Sequence, residues 1–111
     1  MKFKTTQKAI KNGFHKIIYV PYCDLQTLLE FESPIAYTTR AEGWAADVYD
    51  LGNGIALATG YAPFGNVKTS YELRRKYEEA ARKIRYNYDI KWEQQRDQIR
   101  ELLASFIKEV C

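Results

Sequence analysis

Up to residue 66 the apolar positions come in short runs broken by Gly, Pro and Asn; beyond it they recur every three or four residues with no Gly or Pro at all. The first stretch predicts short elements. Thr5 or Thr6 can cap a two-turn helix through Gln7, Lys8, Ala9 and Ile10, ended by a left-handed residue at Asn12-Gly13. Ile17-Ile18-Tyr19-Val20 is β-branched and aromatic, which predicts a strand over 16–22. Asp24 then opens a second short helix in which Leu25, Leu28 and Leu29 share one stripe, and Ser33-Pro34 stops it. Strands are expected over 35–40, 44–51 and 55–61, with Gly52-Asn53-Gly54 as a tight turn because Gly and Asn accept positive φ. An antiparallel meander results, closed by the turn cluster 62–66.

The second stretch predicts helix. Thr69-x-x-Glu72 reads as a capping box. Leu73, Tyr77, Ala80, Ala81, Ile84 and Tyr88 form one apolar stripe, and Trp92, Ile99, Leu102, Leu103, Phe106 and Val110 form another. Asn87-Tyr88-Asp89 is the weakest helical point and Asp89 can cap a new helix, which favours a helical hairpin over one long helix. The expected fold is α+β: a small antiparallel sheet of about four strands followed by two C-terminal helices that pack on it. At 111 residues, 46% hydrophobic and 28% charged, the chain is expected to form a single domain, 1–111, sheet-rich over 1–66 and helical over 67–111.

Charge sharpens this division. Residues 1–66 hold six Lys/Arg against six Asp/Glu, and residues 67–111 hold eleven against eight, so the formal +3 lies wholly in the helical part. Glu72, Glu78 and Glu79 interleave with Arg74, Arg75, Lys76, Arg82, Lys83 and Arg85, the pattern of a solvated helix face with i,i+4 pairs such as Glu72 to Lys76 and Glu79 to Lys83. That dilution, and the lack of helix-turn-helix spacing, places sequence-specific nucleic-acid binding third among the functions considered. No apolar run is long enough to span a bilayer and the first residues do not resemble a signal peptide, so no membrane partner and a cytoplasmic location are expected. Cys23 and Cys111 are expected to be reduced thiols, and one histidine, His15, with no nearby Cys is a poor start for a metal site.

Catalysis finds little footing. His15 has no patterned Ser or Asp beside it, and no P-loop, dinucleotide fingerprint or carboxylate pair occurs; Asp47 and Asp50 should fall on opposite faces of a strand. No enzyme activity and no cofactor are expected. The chain is instead dense in aromatics, 14%, near the strands and turns. Tyr37, Thr38, Thr39, Arg40 and Trp44, with Tyr61, Phe64 and Asn66, combine flat rings, a guanidinium and small hydrogen-bonding groups. A nucleotide needs that mixture: rings stack on the base while Arg, Thr and Asn hold phosphate or ribose oxygens. These eight residues are the candidate ligand site; the plainer reading is that the rings are sheet core and the rest are turn residues.

At Tyr22-Cys23-Asp24-Leu25-Gln26, at the run from Ala36 to Trp44, and at Thr59-Gly60-Tyr61-Ala62-Pro63, the chain resembles small proteins of phages and mobile elements of Gram-positive bacteria. Its layout of sheet then helices is similar to that of the phage anti-Thoeris (Tad) sponge proteins. The resemblance implies a non-enzymatic homo-oligomer, a dimer or higher, that sequesters cyclic ADP-ribose isomers, with cyclic oligonucleotides as a second class. No ligand residue of that family is carried over. The alternative from another class is a protein-protein inhibitor or adaptor that meets a host defence protein through its C-terminal helices.

Overall fold

β-Branched and aromatic side chains at 16–20 and 55–61 build the centre of a mixed sheet. The computed structural model describes residues 3–4, 13–21, 24–37, 45–61 and 67–111. Its strands are β1 (Phe3–Lys4), β2 (Lys16–Val20), β3 (Ala36–Tyr37), β4 (Ala45–Gly52), β5 (Ile55–Tyr61) and β6 (Val67–Lys68); its helices are α1 (Tyr71–Arg85) and α2 (Trp92–Val110). The short helix expected over 7–10 lies outside the described residues. The α+β class holds, and the helical end is two helices, not one rod.

The sheet departs from the expected meander. Its strand order is β1-β3-β4-β5-β2-β6. Strand β4 is antiparallel to β3 and β5, whereas β2 is parallel to β5 and to β6, and β1 is parallel to β3, so β4 alone runs against the rest. Three of the four expected strands occur, as β2, β4 and β5; of the one expected over 35–40 only two residues are described as strand, β3, and β2 lies on the far side of β5 instead of beside β3. Three strands of five or more residues, β2, β4 and β5, carry the sheet.

Burial explains the apolar runs of the central strands. Ile17 and Ile18 are both fully buried, as are Ala56, Leu57 and Ala58, so the central strands are covered on both faces and read as unbroken apolar runs. The sheet is therefore not half-buried. One face holds Ile17, Val48, Ala56 and Ala58, with Phe14, Tyr19 and Ile35 packed at the margin. The expected hairpin turn is present: Gly52, Asn53 and Gly54 all have positive φ (88°, 56° and 75°), with a register shift between Asp50 and Gly52. Asp50 belongs to this turn, its Oδ1 accepting from Gly52 N at 2.9 Å. Gly13, in contrast, is not among the positive-φ glycines.

The chain divides into two compact units, Met1–Asp24 with Ser33–Thr69, and Leu25–Glu32 with Ser70–Cys111. The first contains the sheet. The second contains both helices and a strap, 25–32, that interrupts the path from β2 to β3. The strap is not the helix that Leu25, Leu28 and Leu29 suggested; it is a run of turns in which Leu29 N donates to Leu25 O (3.0 Å) and Glu32 N to Leu29 O (3.0 Å). Leu25 sits at φ 61°, where an α-helix cannot start. The three leucines are nonetheless buried, as their spacing implied.

Within the helical unit the buried positions are Tyr77 and Ala81 on α1 and Gln95, Ile99, Leu103 and Phe106 on α2, at four- and three-residue intervals. The cap of α1 is Ser70, whose hydroxyl accepts from Leu73 N at 3.1 Å, and not Thr69; the Thr69 hydroxyl donates to Tyr19 O at 3.4 Å. Lys91, not Asp89, precedes α2, with Lys91 N donating to Gln94 Oε1 at 2.9 Å. A six-residue link, 86–91, thus replaces the sharper break expected at 87–89. The i,i+4 pairs are Arg75–Glu79 and Arg82–Glu78, so Glu79 meets Arg75 and not the Lys83 anticipated, and Lys76 meets Glu109 and not Glu72. Cys111 is a free exposed thiol, and Cys23 lies outside the described residues.

Candidate functional site

Strand register positions the candidate site at one end of the sheet. Tyr37, the last described residue of β3, pairs with Asp47 on β4, and Asp47 pairs with Thr59 on β5. Tyr61 ends β5 and pairs with Ala45 at the start of β4. Tyr37, Ala45 and Tyr61 therefore sit at the end of the sheet opposite the Gly52-Asn53-Gly54 turn. Thr38, Thr39, Arg40, Trp44, Phe64 and Asn66 lie outside the described residues. Of the eight sequence candidates the structure places the backbone of two, Tyr37 and Tyr61, at the same end of the sheet, on β3 and β5 with β4 between them.

Three residues that the sequence reading did not place in the candidate site lie on the neighbouring strands. Asp47, Tyr49 and Thr59 occupy one face of β4 and β5, because positions two apart share a face and Asp47 is opposite Thr59. Thr59 is a buried polar residue whose hydroxyl donates to Asp47 O at 3.4 Å. The Tyr49 phenol is pushed up from its ordinary value, first by burial and then by the Asp47 carboxylate. Polar residues inside an otherwise apolar strand pattern, at 47 and 59, were the available signal. Gly60, between Thr59 and Tyr61, has φ 142°, a backbone conformation that favours glycine, and is buried.

The opposite end is a structural stitch. His15 N donates to Gly54 O at 2.9 Å, and its Nε2 lies 2.7 Å from Asn53 O. A Cβ on Gly54 would come within 2.6 Å of the His15 ring, so the ring rests directly on the turn. Among the described residues no group of three or more His, Cys, Asp or Glu side chains could hold a metal, and no helix is long and apolar enough to cross a membrane.

In the helical unit, ionisable groups are tied to structure. Glu78 Oε1 accepts from Thr27 N (3.0 Å) and Leu28 N (3.1 Å), while its Oε2 accepts from Arg82 Nε (3.1 Å). Arg85 pairs with Glu30, and Arg100 pairs with Glu32 at 2.9 Å and donates to Phe31 O at 3.1 Å. Gln95 is buried but satisfied at both ends: Oε1 accepts from Arg85 Nη1 at 3.0 Å, and Nε2 donates to Asn87 O at 2.9 Å. Tyr77 donates its hydroxyl to Glu109, which pushes the phenol up to about 12, with burial and the carboxylate charge adding to the effect.

That last contact has a pH signature. The folded state holds the Tyr77 proton more tightly than the unfolded chain does, so its contribution is complete below the ordinary value of 10.0 and is lost as pH rises through about 12. Stability measured by denaturant titration is expected to fall across that window, and Tyr77→Phe to flatten the fall. An identical alkaline slope in both proteins would rule out the link.

Comparison with known protein families, with curated proteins and with solved structures finds no match. The class that stands is the one the coordinates define, an α+β protein with a mixed sheet and a C-terminal helical hairpin.

Proposed function

We propose that this protein is a non-catalytic binder that sequesters a nucleotide-type signal at the sheet end marked by Tyr37, Ala45 and Tyr61. The supporting observation is the register of β3, β4 and β5, which sets the strand ends at Tyr37, Ala45 and Tyr61, where 38–44 begins and ends and 62–66 begins, at one end of the sheet. Those two segments contain Arg40, Trp44, Phe64 and Asn66. In this reading Trp44, Tyr61 and Phe64 stack on bases and Arg40 pairs with phosphate. Thr38, Thr39 and Asn66 hydrogen-bond to the ligand. Asp47 suits a ribose hydroxyl, which donates, and repels a phosphate, which cannot.

The resemblance to anti-Thoeris sponge proteins supports cyclic ADP-ribose isomers as the first ligands to try, with cyclic oligonucleotides next, in the cytoplasm of a bacterial host and as a homo-oligomer. Isothermal titration with cyclic ADP-ribose isomers and cyclic di- and trinucleotides is expected to give saturable heat for at least one. Arg40→Ala should weaken it at least tenfold, since a charge-assisted bond to phosphate contributes about 1.5–3 kcal/mol. Absence of heat from every compound removes the reading. A host protein recovered in fixed stoichiometry, in place of a bound nucleotide, would point to the inhibitor alternative.

A further inference from the structure

In the helical unit every partly covered acid is met by the protein itself. Glu32 pairs with Arg100, and Glu78 holds two strap amides and Arg82. Asp47, on β4 of the sheet unit, differs. It too is partly covered, yet among the described residues its carboxylate has no hydrogen bond and no ion pair. The Thr59 hydroxyl, opposite it on β5, donates to the Asp47 main-chain oxygen and not to the carboxylate.

Tyr49 stands two residues further along the same face of β4. Its hydroxyl is likewise partly covered and without a hydrogen bond among the described residues. Burial and the Asp47 charge both push the phenol up, so it keeps its proton beside the carboxylate. Covering polar groups without partnering them costs free energy, and working sites are where proteins retain such costs. Both groups belong to the strand that starts at Ala45, beside the segment 38–44.

The hydrogen-bonding capacity of the pair narrows what it can hold. A carboxylate only accepts, whereas a neutral phenol donates and accepts once each. Two neighbouring sugar hydroxyls match this set, since each donates and each accepts: both protons can reach acceptors while an oxygen takes the phenol proton. An ammonium group only donates and leaves that phenol proton unpaired. A phosphate ester in place of either hydroxyl removes a donor and sets a negative charge against Asp47.

We infer, on the footing of the nucleotide site proposed above, that Asp47 and Tyr49 bind the free neighbouring hydroxyls of a ribose and so decide which nucleotides the site accepts. Ligands that keep both hydroxyls of one ribose free, as cyclic ADP-ribose isomers do, rank above cyclic oligonucleotides, whose linkages esterify one hydroxyl of every ribose. Deoxyribose ligands rank below their ribose counterparts.

Isothermal titration with cyclic ADP-ribose isomers, their deoxyribose analogues and cyclic di- and trinucleotides tests this. Loss of one ribose hydroxyl should weaken binding about 10- to 150-fold, the range for a hydrogen bond to a charged group. Asp47→Asn should erase that preference without weakening cyclic dinucleotides, because it removes a charge that opposes phosphate; a merely structural role would weaken every ligand alike. Tyr49→Phe should weaken the ribose ligand about 2- to 12-fold, the range for a neutral hydrogen bond. Without ligand, Asp47→Asn should melt no lower than the parent protein, since no described group loses a partner. Silence from every compound removes the nucleotide site and this assignment with it. Heat without a preference for ribose, tighter binding of a cyclic oligonucleotide, or a preference that survives in Asp47→Asn overturns the assignment alone. So does a lower melting temperature for Asp47→Asn, which would show that the protein itself holds the carboxylate.

Discussion

Phe106→Ala is expected to destabilise the helical unit by about 3–5 kcal/mol, the range for truncating a large aromatic in a close-packed interior. Phe106 is fully buried on α2 and meets Tyr77 of α1 edge-to-face, with ring centroids 5.3 Å apart and planes at 77°. The loss therefore combines hydrophobic burial, the cavity left behind and an aromatic contact worth about 0.5–1.5 kcal/mol. At this chain length each kcal/mol moves the melting temperature by about 4–8 °C, so the variant should melt at least 12 °C lower. Phe106→Leu keeps most of the volume and should recover more than half of the difference. Guanidinium denaturation followed by helical circular dichroism decides it: a loss below about 1 kcal/mol would mean that the ring does not sit in a packed interior.

Glu78→Ala is the second large effect, at about 2–3 kcal/mol. Its carboxylate, only 12% exposed, is the shared acceptor for two strap amides and one guanidinium. Removing it leaves Thr27 N and Leu28 N without that partner, and an orphaned donor costs about 1–3 kcal/mol according to its burial. The strap has little in reserve. Leu25 is held at φ 61°, which for a residue with a Cβ costs about 1–2 kcal/mol. The Arg85–Glu30 and Arg100–Glu32 pairs are substantially solvent-exposed and contribute at most about 1 kcal/mol each. Hydrogen exchange is the direct readout: the amides of Thr27 and Leu28 should lose protection well before those of α2. Glu78→Gln retains one oxygen acceptor but not the charge, and should fall between the two. Unchanged protection at both amides in Glu78→Ala would show that the carboxylate does not hold the strap.

These expectations show how differently parts of the fold are written in the chain. Gly52-Asn53-Gly54 announced its turn because each residue there needs a positive φ, a preference visible without context. The end of β5 and the two-helix layout were legible for the same local reason. Thr69 and Asp89 were misleading because a hydroxyl or carboxylate near a helix start has several competing acceptors and donors; Ser70 and Lys91 took those places by one or two residues. Tyr37 and Tyr61 were legible as candidate site residues from composition. Asp47 and Thr59 were not, since their pairing appears only once register sets Asp47 opposite Thr59.

By itself the sequence determined where the three longer strands, the turn and the two helices lie, and that Leu25, Leu28, Leu29, Tyr77, Leu103 and Phe106 face inward; Tyr88 and Trp92, placed on the same apolar stripes, are exposed. Those outcomes depend on backbone preference and periodicity over a few residues. Only the tertiary structure decided that β2 joins the far side of β5 in parallel, that 25–32 is a strap belonging with the helices, and that Glu78 closes on amides fifty and fifty-one residues away. Such pairings carry no local mark, because their energy comes from groups that meet only after the chain has folded.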